Sequence, residues 1–77
     1  MIEYNLILCN DDVNDMLYII TALYDICDLD KEKCTELMFE AHENGSAKVT
    51  SGTFEEINAM KELLIAKNII AKVEKLI

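Results

Sequence analysis

Seventy-seven residues make one small domain, a size at which only about 60% of the unfolded surface is buried and the core must pack well. Hydrophobic residues make up 52% of the chain, too many for a disordered tail, and Asp and Glu outnumber Lys and Arg fifteen to seven, for a net charge of −8. That balance argues against a nucleic-acid backbone or a membrane surface as partner, no apolar run approaches the roughly 18 residues of a membrane helix, and Met1-Ile2-Glu3 lacks a secretory signal.

The first element is a strand over Tyr4–Cys9, a short Leu- and Ile-rich run closed by the turn-forming Asn10-Asp11-Asp12. Met16, Ile19, Ile20, Leu23, Tyr24 and Cys27 then recur three and four apart, predicting a helix from about Asp15 to Cys27 with Asp12 or Asn14 as cap. Asp28-Leu29-Asp30 breaks it, and Asp30 caps a second helix. Its apolar stripe of Cys34, Leu37, Met38 and Ala41 ends in His42, which the spacing turns toward the protein. Asn44-Gly45 stops that helix, and Ala47 and Val49 alternate with Lys48 and Thr50 as a strand with one wet face. Thr53 with Glu56 forms a capping box ahead of a third helix, with Ile57, Met60, Leu63 and Leu64 facing inward and an end near Lys67-Asn68. A last strand follows from Ile69 to about Lys75. The order strand, helix, helix, strand, helix, strand predicts an α+β two-layer sandwich, a small three-stranded sheet with three helices on one face, forming a single domain over residues 1–77.

Three cysteines, Cys9, Cys27 and Cys34, form neither an even disulfide set nor a Cys-x-x-Cys pair, which suits reduced thiols in a cytoplasmic protein. Cys27, Cys34 and His42 match no zinc spacing, and no metal or other cofactor is expected. Nothing has the context of a catalytic nucleophile: Ser46 and Ser51 lack an elbow, the two glycines make no phosphate loop, and Cys34 lies two helical turns from His42, about 12 Å at 1.5 Å per residue. The charge is uneven. Residues 1–44 carry eleven acidic and two basic side chains, residues 45–77 four and five. Most of the acids belong to solvated helix faces; those in the Asn10-Asp11-Asp12 turn could instead attract a cation.

The pairing of Leu8-Cys9-Asn10-Asp11-Asp12 and Met16 with Leu37-Met38-Phe39-Glu40-Ala41-His42-Glu43-Asn44-Gly45-Ser46-Ala47 resembles the ClpS family, adaptors that select N-degron proteins for the ClpAP or ClpCP protease. The resemblance runs from about Tyr4 to Glu74 and is strongest up to Val49. It implies that Asn10, Asp12 and His42 hold the free α-amino group of the substrate's first residue, with Asp11 serving the turn or adding a contact. It implies that Asn14, Met16, Ile19, Met38, Ala41 and Ile69 line the pocket for a large apolar first side chain, Met16 being the gate. The implied partners are the N-terminal segments of substrate proteins and the N-terminal domain of a Clp-family AAA+ unfoldase, met by a monomer with no enzymatic activity. The chain departs from the family's pattern in lacking an N-terminal extension, in a shorter third helix, and in Asp15 where the family commonly has Pro. The C-terminal domain of the ribosomal stalk protein has the same element order and a similar Ala59–Leu64 and Ala71–Glu74 ending. A factor-binding domain of that kind, or a ClpS-like inhibitor or scaffold without N-degron binding, is the alternative.

Overall fold

The computed structural model describes residues 3–76, and the elements run β1 (Tyr4–Cys9), α1 (Met16–Cys27), α2 (Lys31–Asn44), β2 (Ser46–Gly52), α3 (Phe54–Ala66) and β3 (Ala71–Lys75). The order and number of elements are those read from the sequence. The sheet has the order β2-β1-β3, with β1 antiparallel to both neighbours. β1 is hydrogen-bonded along both edges, and Asn5 to Leu8 are all buried, so the strand reads as a nearly continuous apolar run rather than an alternation. Leu6 and Leu8 face the helices and join the main core. Ile7 lies outside that core, with Lys48 and Lys72 as its partners across the two ladders, a place where long stems can cover apolar surface while the ammonium stays wet. Between Leu6 and Ile7 the β1–β2 register shifts, leaving Val49 without an opposite residue; Ala47 and Val49, two apart on the strand, both join the core.

Each helix end has a local cause. Asp30 caps α2 by accepting from the Lys33 backbone N–H at 2.8 Å, and Gly45, at φ 92°, ends it with its own N–H on the Ala41 carbonyl at 2.9 Å. Thr53 and Glu56 form the reciprocal capping box of α3, with both backbone-to-side-chain bonds at 3.2 Å. The first helix differs from expectation. Its N-cap is Asp15, whose side chain makes no capping bond, rather than Asp12 or Asn14. Its C-cap, Asp28, takes the left-handed conformation that short polar side chains tolerate.

The core is one cluster under the sheet, with Leu6, Leu8, Leu23, Leu37, Ile57, Leu64, Ile69 and Cys34 fully enclosed. Each such aliphatic side chain contributes about 1.5–3 kcal/mol. Two helical stripes are narrower than their spacing suggested. Leu63 is 54% exposed where α3 was expected to face it inward, and Tyr24 is exposed on α1, because Leu64 and Leu23 already occupy the central line of contact. The last strand begins at Ala71. Ile69 precedes it in a turn, its N–H on the Leu64 carbonyl at 3.0 Å. Among the described residues no helix is long and apolar enough to cross a membrane.

Candidate binding site

The end of β1, the loop that follows it, the N-terminus of α1 and the C-terminal half of α2 meet around a concave pocket of about 190 Å³. It is lined by Leu8, Cys9, Asn10, Asp11, Asp12, Asn14, Met16, Ile19, Met38, Ala41 and His42. Two segments far apart in sequence are thus brought together, and backbone bonds set their spacing. The Asn10 N–H donates to the Gly45 carbonyl at 2.9 Å, and the Cys9 N–H to the Ile70 carbonyl at 3.0 Å. Gly45 lies three residues after His42, so the turn that ends α2 also fixes where Asn10 stands relative to the imidazole.

The polar end of the pocket is built from unlike parts. Asn10 keeps its Oδ1 buried with no hydrogen-bond partner among the described residues. A buried acceptor left unpaired costs about 1–3 kcal/mol. Asp12 is exposed. His42 is exposed too, in the last turn of α2, where the spacing had turned it toward the protein. The stripe of Cys34, Leu37, Met38 and Ala41 is buried against the core, while His42 reaches beyond it to the pocket mouth.

Asp11 belongs to the turn itself. Its Oδ1 accepts from the backbone N–H of Val13 at 2.8 Å and of Asn14 at 3.0 Å, and its Oδ2 accepts from the Asn14 side-chain amide. Desolvation alone would raise its pKa; the bonds from the Asn14 backbone and side chain and the Val13 backbone together outweigh it and hold the carboxyl below the usual carboxylate range. The lining contains two carboxylates and no Lys or Arg, so the pocket is electrostatically suited to a cation.

The apolar end is Met16, Ile19, Met38 and Ala41. Met16 is 44% exposed, whereas Ile19, Met38 and Ala41 are buried walls. A half-exposed thioether on the first turn of a helix is free to change rotamer with the shape of its contents. Ile69, expected in this pocket, is instead enclosed in the main core at 1% exposure and lies outside the lining. Leu8 and Cys9 line the pocket without having been singled out for it. Their signal was adjacency to Asn10 at the end of the strand that pairs along both edges.

Cys27 and Cys34 play no part in the pocket. Burial, and then the neighbouring Cys34, push the Cys27 thiol up to about 11; burial, and then Asp30, raise Cys34. Among the described residues no three His, Cys, Asp or Glu side chains gather into a possible metal site.

Fold and site together define a small α+β domain with a pocket lined by the Asn10-Asp11-Asp12 turn and His42 on the one hand and by Met16, Ile19, Met38 and Ala41 on the other. Comparison with known proteins gives it a family. The model of the ClpS family, described as the ATP-dependent Clp protease adaptor protein ClpS, matches residues 2–72, and the chain belongs to that family. It is 35% identical over 74 residues to the ClpS adapter protein of Prochlorococcus marinus, covering 95% of this chain and 70% of that one. It is 42% identical over 48 residues to the ClpS adapter protein of Streptomyces avermitilis, covering 62% of this chain and 46% of the relative. Among solved structures, that of Agrobacterium tumefaciens ClpS2 bound to L-phenylalaninamide superposes with a TM-score of 0.89 over 96% of both chains at 20% identity, a match of fold. Family membership separates the chain from the ribosomal stalk domain that shares its element order.

Proposed function

We propose that this chain is a non-catalytic adaptor module that captures the first residue of a substrate protein and passes it to a Clp-type AAA+ unfoldase and its protease in the cytoplasm. The observation that carries the reading is the pocket's two-ended chemistry, above all the buried, unpaired Oδ1 of Asn10 beside Asp12 and His42. An α-ammonium has donors only, so a site that takes it out of water must supply acceptors. Asn10 supplies an amide oxygen, Asp12 a carboxylate oxygen and His42 a ring nitrogen. Charge-assisted bonds of this kind are about twice as strong as neutral ones. The first side chain then enters between Met16, Ile19, Met38 and Ala41. A cavity of about 150 Å³ accepts a benzene ring, so 190 Å³ accommodates one aromatic or branched aliphatic side chain and little more.

L-phenylalaninamide, the ligand of the Agrobacterium protein of the same fold, joins these same two features, a free ammonium and a benzyl group. The adaptor acts as a monomer and docks on the N-terminal domain of the unfoldase. Burial of one Leu or Phe side chain is worth about 1.5–3 kcal/mol, which with the amine bonds suits micromolar affinity.

Fluorescence anisotropy with labelled peptides tests the reading. Peptides beginning with Leu, Phe or Trp bind, while those beginning with Ala or carrying an acetylated amine do not. His42→Ala and Asp12→Ala each weaken binding more than tenfold, the scale of a lost charged hydrogen bond of about 1.5–3 kcal/mol. Equal binding of all the peptides, or of none, refutes the proposal and leaves a scaffold or inhibitor of the protease.

A further inference from the structure

The loop that carries Asn10 and Asp12 is held from a side the pocket chemistry does not explain. The Asn14 side-chain amide donates both to Asp11 Oδ2 and to the Asn68 carbonyl, the latter at 2.7 Å, spanning 54 residues of chain. One helical turn further on, the Tyr18 hydroxyl donates to the Lys67 carbonyl at 2.8 Å. Both acceptors are adjacent carbonyls of the turn between α3 and β3. That turn is itself well determined: the Lys67 N–H bonds the Leu64 carbonyl at 3.0 Å, the Asn68 N–H bonds the Ile65 carbonyl at 2.9 Å, and Asn68 has φ 65°. Asp15 offers α1 no side-chain cap, so these two bonds stand where a cap would otherwise fix the helix entry.

We propose that Asn14 and Tyr18 are positioning residues that clamp the loop and the first turn of α1 onto the Lys67-Asn68 turn, and so hold Asp11, and with it Asn10 and Asp12, in the arrangement that receives the substrate's ammonium. The proposal rests on the amine-binding reading. The two NH₂ protons of Asn14 join two parts of the molecule that have no backbone bond with each other at this point. One goes to the carboxylate that orders the loop, the other to a carbonyl of the rigid turn. Without them the loop keeps its own bonds from Asp11 to the Val13 and Asn14 amides and the Asn10 bond to Gly45, but its Asp11–Asn14 end loses its tie to the Lys67-Asn68 turn. The pocket is then competent for only part of the time, and apparent affinity falls by that fraction.

Three variants separate positioning from simple stabilisation. Tyr18→Phe keeps the ring and removes one donor, Asn14→Leu keeps the approximate size and removes two, and Asn14→Gln retains both. Each is measured for the dissociation constant of a Phe-initiated peptide at a temperature far below its melting midpoint, and for hydrogen exchange at the Val13 and Asn14 (or substituted) backbone amides. Tyr18→Phe and Asn14→Leu are expected to raise the dissociation constant about threefold to tenfold and to accelerate exchange at the loop amides, and Asn14→Gln to recover at least half of the Asn14→Leu loss. Lower melting points with wild-type affinity and unchanged loop exchange overturn the proposal. If the unsubstituted protein binds no peptide, the amine-binding reading fails, and the exchange arm still decides whether the clamp holds the loop.

Discussion

At the scale of single residues, the pocket separates side chains that look alike in the sequence. Met16 and Ile69 are both apolar and both resemble pocket positions of the family, yet one is half-exposed on the first turn of a helix and the other is sealed in the core. Their substitutions should therefore fail differently. Met16→Ala removes a movable wall, and the ranking of peptides by first residue should broaden with little change in melting point; an unchanged ranking removes Met16 from the pocket. Ile69→Val removes one buried methylene and should cost about 0.5–1.5 kcal/mol of stability, with the peptide ranking intact; denaturant melts and anisotropy on the same samples check both. The reason the sequence did not distinguish them is physical. Helical periodicity places Met16 on the inner side of a stripe but cannot say how far the neighbouring layer extends, and Ile69 lies in a turn where no periodicity applies. His42 shows the same limit from the other direction: it shares a face with Cys34 and Met38, but the core ends before it does.

At the scale of elements, the turn between α2 and β2 does two things at once. Gly45 ends a helix at φ 92°, and its carbonyl receives the Asn10 N–H. A Cβ at this position meets nothing within 4 Å, so the cost of Gly45→Ala is conformational only. A left-handed alanine costs about 1–2 kcal/mol, and that loss should appear in a denaturant melt. If the backbone relaxes to avoid it, the Asn10–Gly45 bond lengthens and peptide affinity falls as well. Thr53→Ala is the control: losing the capping box costs about 0.5–2 kcal/mol far from the pocket and should leave affinity unchanged. The elements themselves were legible because their ends carry local chemistry: the Asp30 cap, Gly45, and the Thr53–Glu56 box. The start of α1 was not, since no side chain caps it and its position is set by contacts with residues more than forty positions away.

At the scale of the whole molecule, acid and alkali act on different parts. Asp11 has a depressed pKa in the folded state, so the stability it contributes is present above the ordinary carboxylate pKa and is lost as pH falls through the lower folded value. Cys27 behaves in the opposite sense. Its thiol is raised to about 11, and Cys34 is raised with it, so the fold favours the protonated forms. Stability is then fully present below the unfolded thiol value of about 8.5 and declines as pH rises toward 11. Thermal melts from pH 7 to 11 should show that decline, and Cys27→Ala should flatten it while lowering the midpoint at neutral pH; a decline of the same size in the variant assigns it to other groups. Between these limits the buried thiols stay neutral and weakly nucleophilic, so alkylation at pH 8 should reach Cys9 before either of them.

The order β2-β1-β3 has a consequence for the life of the chain. The central strand is the first to be synthesised, and its outer partners come later; Tyr4 pairs with Lys75, nearly the whole length away. The second edge of β1 stays unpaired until β3 follows, and contacts of such long range form slowly. The Asn14–Asn68 bond links the pocket to that same late event. The carbonyl that receives the Asn14 amide is made only after α3, so the loop after β1 stays held by its bond to the Gly45 turn alone until the α3–β3 turn follows it, late in the order of synthesis.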